Sequence, residues 1–511
     1  MTRTQHRSAV VAVLLVVTMS LSGCMAWFHP PGQATSTPTG EKVARDVAPF
    51  YHQVLRWSPC ADGMQCATAR APMDWSDPSA DTINLALVRQ PALSGHSQGS
   101  LLVNPGGPGG SGFDFVRDSV DFATDDQLQQ HFDIVGFDPR GVGRSTAVRC
   151  YTNPAELDSY IYDIPPGTVG SDKWIAALAT SSKKFGQRCL KLTGPLLGLV
   201  DTESAARDLD LLRAILGDKK LNYLGYSYGT LLGAVYAGLF PSKTGRLVLD
   251  GAVDPAASDF EGTATQAKGF ESALHAFLVE CPRHNDCPFH GSVDENLADI
   301  RALLDNLDAS PLRGDDGRKL GSSTMFIAII FPLYDRDSWS YLRMLFTDVF
   351  KGETEFAFEL ADGYNGRDAD GTYSSNQTEA FISINCLDEH GHPSVAAMRR
   401  EAAQLKKLAP VFGPQMSYGG TGCANWSVPA KRVPAPIAAP GSSDILVIGT
   451  TNDPATPYEW AVRVAQTLER GHLITYTGEG HTAYNKSNSC VNNAVDAYLI
   501  RGTVPSADPQ C

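Results

Sequence analysis

Leu221-Asn-Tyr-Leu-Gly-Tyr-Ser-Tyr-Gly229 starts as a short apolar run and breaks at Gly225-Tyr226-Ser227-Tyr228-Gly229; Thr230 to Phe240 behind it is small and apolar, and Pro241 stops it. A Gly-x-Ser-x-Gly segment after a strand and before a helix forms a strained turn that lifts the serine Oγ above a sheet. The flanking glycines are needed because a Cβ there would collide with the neighbouring strand and helix. The helix that begins at the turn aims its free backbone N–H groups at the same point. Ser227 is therefore the candidate nucleophile.

The same pattern repeats on both sides of this segment. Ile83–Val88, Ser100–Val103, Phe132–Phe137, Arg246–Leu249, Ile445–Ile448 and His472–Tyr476 are short apolar runs, most of them ending in Gly-rich or Asp-containing turns. Such runs read as buried strands of a largely parallel sheet. Helical spacing lies between them, as in Ser204–Leu216, where Ala205, Leu209, Leu212 and Leu216 share one face and Gly217 ends the helix. Strands alternating with helices predict an α/β fold, a mostly parallel sheet with helices on both faces.

A serine hydroxyl needs a base, and the base needs an orienting carboxylate. In this fold class the chain order is Ser, acid, His. Asp453 follows the Ile445–Ile448 strand and His481 follows the His472–Tyr476 strand, so both fall on the sheet edge that carries Ser227. The other histidines do not directly follow a late core strand. Asn104-Pro-Gly-Gly-Pro-Gly-Gly-Ser-Gly112 also leaves a core strand, and its glycines let the backbone turn N–H groups inward. Gly107 is the first choice of loop donor, with Gly106 close behind, and the N–H of Tyr228 completes the candidate oxyanion hole. A rival reading is a phosphate cradle, because Gly107–Gly112 fits Gly-x-Gly-x-x-Gly by letter and Asp138 follows the next strand. Asp138-Pro-Arg-Gly-Val-Gly-Arg-Ser145 reads as a segment that fixes the loop beside the pocket.

The chain has 511 residues, which suits one large α/β domain with an insertion. Between about Pro255 and Pro434 the alternation of strand and helix disappears. Phe260–Leu278, Asp294–Leu307 and Val395–Leu408 have helical spacing, so 255–435 reads as a mainly helical insertion, with 49–254 and 436–511 as the two parts of the sheet domain. The net charge is −14, with 56 Asp and Glu against 42 Lys and Arg. A surface this acidic argues against sequence-independent binding to nucleic acid.

Arg3 and Arg7 precede the apolar run Ala9–Leu21 and then Ser22-Gly23-Cys24. That is the layout of a secretory signal, shorter than the roughly 20 residues of a spanning helix. Leu21-Ser-Gly-Cys24 resembles the lipobox of bacterial lipoproteins, which implies cleavage after residue 23 and lipidation of the Cys24 thiol. The expected result is an exported protein, lipid-anchored on the extracytoplasmic side of the cell membrane or secreted, with 24–48 as a linker. Ten further cysteines form an even set, which in an exported chain reads as disulfides. Pairing neighbours gives 60–66, 150–189, 281–287, 386–423 and 490–511, one connectivity among many. There is no Cys-x-x-Cys or His-Glu-x-x-His, so no metal site is expected, and no cofactor is called for.

The combination of Asn104–Gly112, Asp138–Ser145, Gly-Tyr-Ser-Tyr-Gly-Thr, Thr451-Asn-Asp-Pro-Ala-Thr-Pro457 and the late Gly-His-Thr…Ser-Cys-Val resembles the α/β-hydrolase peptidases related to proline iminopeptidase. It is most similar to the exported actinobacterial tripeptidyl aminopeptidases, and with the lipobox it is similar to mycobacterial envelope hydrolases labelled carboxylesterase A. The resemblance covers about residues 45–511. It implies the α/β-hydrolase fold with a helical cap, a Ser227–Asp453–His481 triad, and peptide or protein substrates. Asn104 departs from proline iminopeptidase, whose loop begins with His. An aminopeptidase also needs a carboxylate for the substrate's α-ammonium, and the family pattern near Ile384–Glu389 makes Asp388 and Glu389 candidates. An esterase or lipase on the same triad is the alternative reading, and an inactive binding lipoprotein is a third.

Overall fold

The computed structural model describes residues 34–388 and 393–511. The signal segment, Cys24 and Glu389 lie outside them.

Nine strands form one sheet: β1 Ser58–Ala61, β2 Met64–Pro72, β3 Thr82–Gln90, β4 Ser100–Asn104, β5 Asp133–Phe137, β6 Leu221–Tyr226, β7 Thr244–Asp250, β8 Ile445–Asn452 and β9 Gly471–Glu479. Their spatial order is β1-β2-β3-β5-β4-β6-β7-β8-β9. β1 to β3 and β5 pair antiparallel, and every pair from β5 through β4 to β9 is parallel. The strands expected from the apolar runs are present. The β1–β2 hairpin is an addition at one edge.

Alternate residues feed two cores, as period-two strands must. Leu102, Leu247, Leu249, Ile445 and Val447 pack with Leu209, Leu212 and Ile215 of the helix Thr202–Leu216 on one face. Leu101, Val103, Val248, Leu446 and Ile448 pack with Val495 and Leu499 of the helix Ser489–Arg501 on the other. The parallel register sets Asn104 beside Gly225 and Tyr226 beside Asp250. The strand ends that carry the candidate residues therefore share one edge of the sheet, where ligands of open α/β sheets bind.

The segment between β7 and β8 is mainly helical and has its own apolar cluster, with Phe270, Phe277, Ile300, Met325, Leu342, Phe346 and Phe412 at its centre. Its two ends are tied together: Ala435 donates its N–H to the Pro255 carbonyl at 3.0 Å, and the Arg432 guanidinium donates to the same oxygen at 2.6 Å. Two more helices, Pro154–Tyr162 and Asp172–Thr193, lie between β5 and β6. Although this stretch falls within 49–254, expected as plain sheet domain, it joins the insertion over the sheet edge.

The linker expected up to residue 48 is shorter than that. Trp57 donates its N–H to the Ala34 carbonyl at 2.8 Å, Thr39 donates to Ala214 at 2.9 Å, and Glu41 pairs with Arg213 and Lys243. From residue 34 the chain is docked on the core. The disulfides are Cys60–Cys66, Cys150–Cys189, Cys281–Cys287, Cys386–Cys423 and Cys490–Cys511, the neighbour pairing. Among the described residues no helix is long and apolar enough to cross a membrane.

Candidate active site

Ser227 joins β6 to the helix Tyr228–Leu239 with φ 55° and ψ −126°, a strained backbone for a residue with a Cβ. The turn is held from three sides. Ser227 donates its N–H to the Asp250 carbonyl at 2.9 Å, and its own carbonyl accepts from the Thr230 N–H at 2.8 Å and the Thr230 hydroxyl at 2.6 Å. The glycines are a steric requirement. A Cβ on Gly225 would lie 2.5 Å from the Gly229 carbonyl, and one on Gly229 would lie 2.8 Å from the Asn104 carbonyl.

His481 sits just beyond β9. Its Nδ1 is 2.9 Å from both Oδ atoms of Asp453, at the end of β8. Asp453 also accepts from the backbone N–H groups of Ala455, Thr456 and Thr482 and from the Thr456 hydroxyl at 3.0 Å. The carboxylate and Nδ1 are thus fixed, which leaves Nε2, on the far side of the ring from Asp453, as the candidate proton acceptor. Nε2 is buried without a hydrogen-bond partner, an orphan acceptor of the sort that marks a site of chemistry. Ser227 and His481 border the same cavity of about 1210 Å³. No hydrogen bond joins Ser227 Oγ to Nε2 in this structure.

The loop after β4 distinguishes the two candidate donors. Asn104 is buried, and its Oδ1 accepts the Gly106 N–H at 3.0 Å. That uses the Gly106 donor internally and leaves the N–H of Gly107, which borders the cavity beside Pro105. Asn104 therefore has a shaping role that the sequence reading left open. Gly106 packs hard against the elbow: a Cβ there would lie 2.5 Å from the Tyr226 carbonyl and 3.0 Å from the Tyr228 nitrogen. As the first residue of its helix, Tyr228 has no intrahelical acceptor for its N–H.

The phosphate-cradle reading meets an electrostatic obstacle. The helix Gly112–Ala123 starts against the Asp138 carboxylate, which accepts from the Ser111 hydroxyl at 2.5 Å and the Phe113 N–H at 3.1 Å. An anion there would face a buried carboxylate. Arg140 is likewise committed: it makes a bidentate pair with Asp208 at 2.7 Å, and both are fully buried. The Asp138–Ser145 segment is scaffolding.

Asp388 is not where an ammonium anchor is needed. Its carboxylate is buried, does not border the cavity, and accepts from the N–H of Thr202 at 3.1 Å and from the Thr202 hydroxyl. Burial pushes its carboxyl up to about 6, against the lowering effect of those bonds. The expected role of Asp388 in holding substrate is therefore corrected to an internal one. Among the described residues, the carboxylates that do border the cavity are Glu156 and Asp163. Glu156 is clasped by Arg188, whereas Asp163 is exposed and has no ion pair among the described residues. Neither was anticipated, nor were the Tyr151, Tyr160 and Tyr334 walls. The signal was the length of the β5–β6 connection, about 80 residues, far beyond a simple loop.

Comparison with known proteins agrees with the geometry. Residues 409–511 match a family model described as TAP-like protein. Serine protease Hip1 of Mycobacterium tuberculosis is 36% identical over 493 residues, covering 92% of this chain and 93% of that protein. Carboxylesterase B of the same species is 36% identical over 525 residues and covers 99% of both. Tripeptidyl aminopeptidase of Streptomyces lividans is 29% identical over 469 residues, covering 89% of this chain and 86% of that protein. The sheet order, the strained serine after β6 and the late Asp–His pair are what such enzymes require, and the chain belongs to the α/β-hydrolase family of TAP-like serine hydrolases that includes Hip1 and carboxylesterase B.

Proposed function

We propose that this serine hydrolase is an exported, lipid-anchored aminopeptidase that releases short peptides from free N-termini. The observation that carries the reading is the roofed cavity bordered by Ser227 and His481. Its volume exceeds the roughly 300–1,000 Å³ of pockets for drug-sized ligands, which suits a short peptide segment. Ser227 Oγ attacks the scissile carbonyl as His481 Nε2 takes its proton. The N–H groups of Gly107 and Tyr228 receive the oxyanion, and His481 then protonates the leaving amine. Water hydrolyses the acyl-enzyme through the same base. The serine protease and tripeptidyl aminopeptidase relatives support the peptide substrate. Five disulfides and the Leu21–Cys24 segment support export and anchoring.

An ammonium bound in a capped site needs a facing carboxylate, and Asp163 is the acid at the cavity that has no ion pair among the described residues. The second reading is a carboxylesterase, favoured by the equally similar carboxylesterase B and by the apolar Ile161, Leu178, Phe331 and Phe381 on the cavity wall. Hydrolysis of a free-N-terminus tripeptide anilide, its N-acetylated form and a short acyl ester separates the two. The peptidase reading requires strong preference for the free amine, lost on Asp163→Asn. Preference for the ester with indifference to acetylation would establish the esterase.

A further inference from the structure

Three buried side chains from three segments form one polar thread that ends beside the nucleophile. Asp388 closes the inserted helix Gln377–Asp388, Thr202 opens the core helix Thr202–Leu216, and Tyr228 opens the helix of the elbow. Their relative exposures are 6%, 0% and 8%. Thr202 has a single hydroxyl proton, and it goes to Asp388 Oδ2. Its Oγ1 can then only accept from the Tyr228 phenol, 2.5 Å away. The thread is therefore directional, from the Tyr228 O–H through Thr202 to the Asp388 carboxylate. A second bond, from the Thr202 N–H to Asp388 Oδ1, fixes the acceptor end.

The surroundings anchor that end further. Lys431 and Arg432 donate their backbone N–H groups to the Leu387 carbonyl at 2.7 and 3.2 Å, and the Arg432 side chain reaches Pro255. The point where the inserted segment leaves and rejoins the sheet domain is thus the point where Asp388 is held. Tyr228 is consequently pinned at both extremes: its backbone by the strained turn, its phenol by the thread. Its N–H is the donor whose position decides how well an oxyanion is met.

We propose that Asp388 is a positioning residue, which through Thr202 and Tyr228 holds the Tyr228 N–H in the oxyanion hole and so couples the inserted domain to transition-state stabilisation. This rests on the reading of Ser227 and Tyr228 as nucleophile and donor.

The test uses the purified enzyme with Ser227→Ala, Thr202→Val, Tyr228→Phe, Asp388→Asn and the Tyr228→Phe/Asp388→Asn pair. Rates on a tripeptide anilide and a short acyl ester are expressed per active site titrated with a fluorophosphonate, and per mole of purified protein for Ser227→Ala, which has no serine to titrate. Removing an oxyanion donor outright costs about 10²–10³-fold, so a loosened donor should cost about tenfold. Tyr228→Phe and Asp388→Asn should each lower kcat by about tenfold on both substrates with KM unchanged, and the pair should fall no further than the worse single variant. Tyr228→Phe deletes one oxygen and decides the matter if Asp388→Asn fails to fold. Unchanged kcat per titrated site in Tyr228→Phe would overturn the proposal, as would a KM increase in Asp388→Asn confined to the free-amine peptide. Full activity in Ser227→Ala would instead overturn the underlying reading of the site.

Discussion

The backbone carbonyl of Tyr334, contributed by the inserted domain, accepts the N–H of His481 at 2.7 Å, and the Tyr334 ring stands edge-on to the imidazole with centroids 5.3 Å apart. The imidazole is thus held by Asp453 on the sheet side and by Tyr334 on the cap side. Truncating the half-buried ring by Tyr334→Ala should cost about 2–3 kcal/mol of stability, below the roughly 3–5 of a fully buried aromatic. Freeing the imidazole should lower kcat by about 10²-fold, the scale of a misplaced catalytic group. Tyr334→Phe keeps the ring and should stay near wild type. Thermal unfolding and kcat measured on both variants check this.

Thr456 touches both members of the Asp–His pair, at 3.0 Å from Asp453 Oδ2 and 3.2 Å from His481 Nδ1. Thr456→Val keeps the shape and removes one hydrogen bond, worth about 1–1.5 kcal/mol. The expected outcome is a kcat loss of about five- to tenfold with unchanged KM, restored in Thr456→Ser. Steady-state kinetics of the two variants would show it.

Gly106 has φ +95°, and any Cβ there collides with the elbow. Gly106→Ala should displace the Tyr228 donor and reduce turnover by about 10²-fold or more. Gly317 has φ +88° with nothing within 4 Å of a Cβ. Gly317→Ala should therefore cost only about 1 kcal/mol of strain and leave activity intact. Comparing kcat and unfolding midpoints of the pair separates collision from strain.

Asp250 is fully buried at the end of β7, and its carboxylate accepts the N–H groups of Ala483 and Tyr484, which hold the loop behind His481. Burial pushes it up to about 6. Between the ordinary carboxylate value and about 6, the folded protein keeps a proton that the unfolded chain releases, so this contribution to stability is present at acid pH and is lost as pH rises through that window. Relative to Asp250→Asn, wild type should lose about 3 kcal/mol from pH 4 to pH 7, the equivalent of a shift of about two units. Denaturant unfolding of both proteins across that range measures it.

The parallel strands were legible because each is an apolar run cut off by a turn, and the candidate triad was legible from chain order together with the places of Asp453 and His481 just past late core strands. The β1–β2 hairpin was not. β1 is a solvent-facing edge with Pro59 in it, and β2 is rich in alanine, so neither alternates clearly. The helix Asp172–Thr193 buries only Ile175, Ser182, Phe185, Gly186 and Cys189, a stripe too polar to stand out. Asp388 could be singled out as an acid near a cysteine, but its partner Thr202 is 186 residues away in the chain. Contacts of that range are made by tertiary packing, which no local pattern encodes.

Everything proposed for this enzyme depends on Ser227 being the nucleophile and His481 its base. Peptide mass mapping after reaction with a fluorophosphonate tests it most directly. The expected result is a single adduct on the peptide carrying Ser227, none in Ser227→Ala, and labelling slowed by about 10⁴-fold or more in His481→Ala, as for an isolated triad serine. An adduct on another residue, or labelling of Ser227 at the wild-type rate without His481, would contradict it.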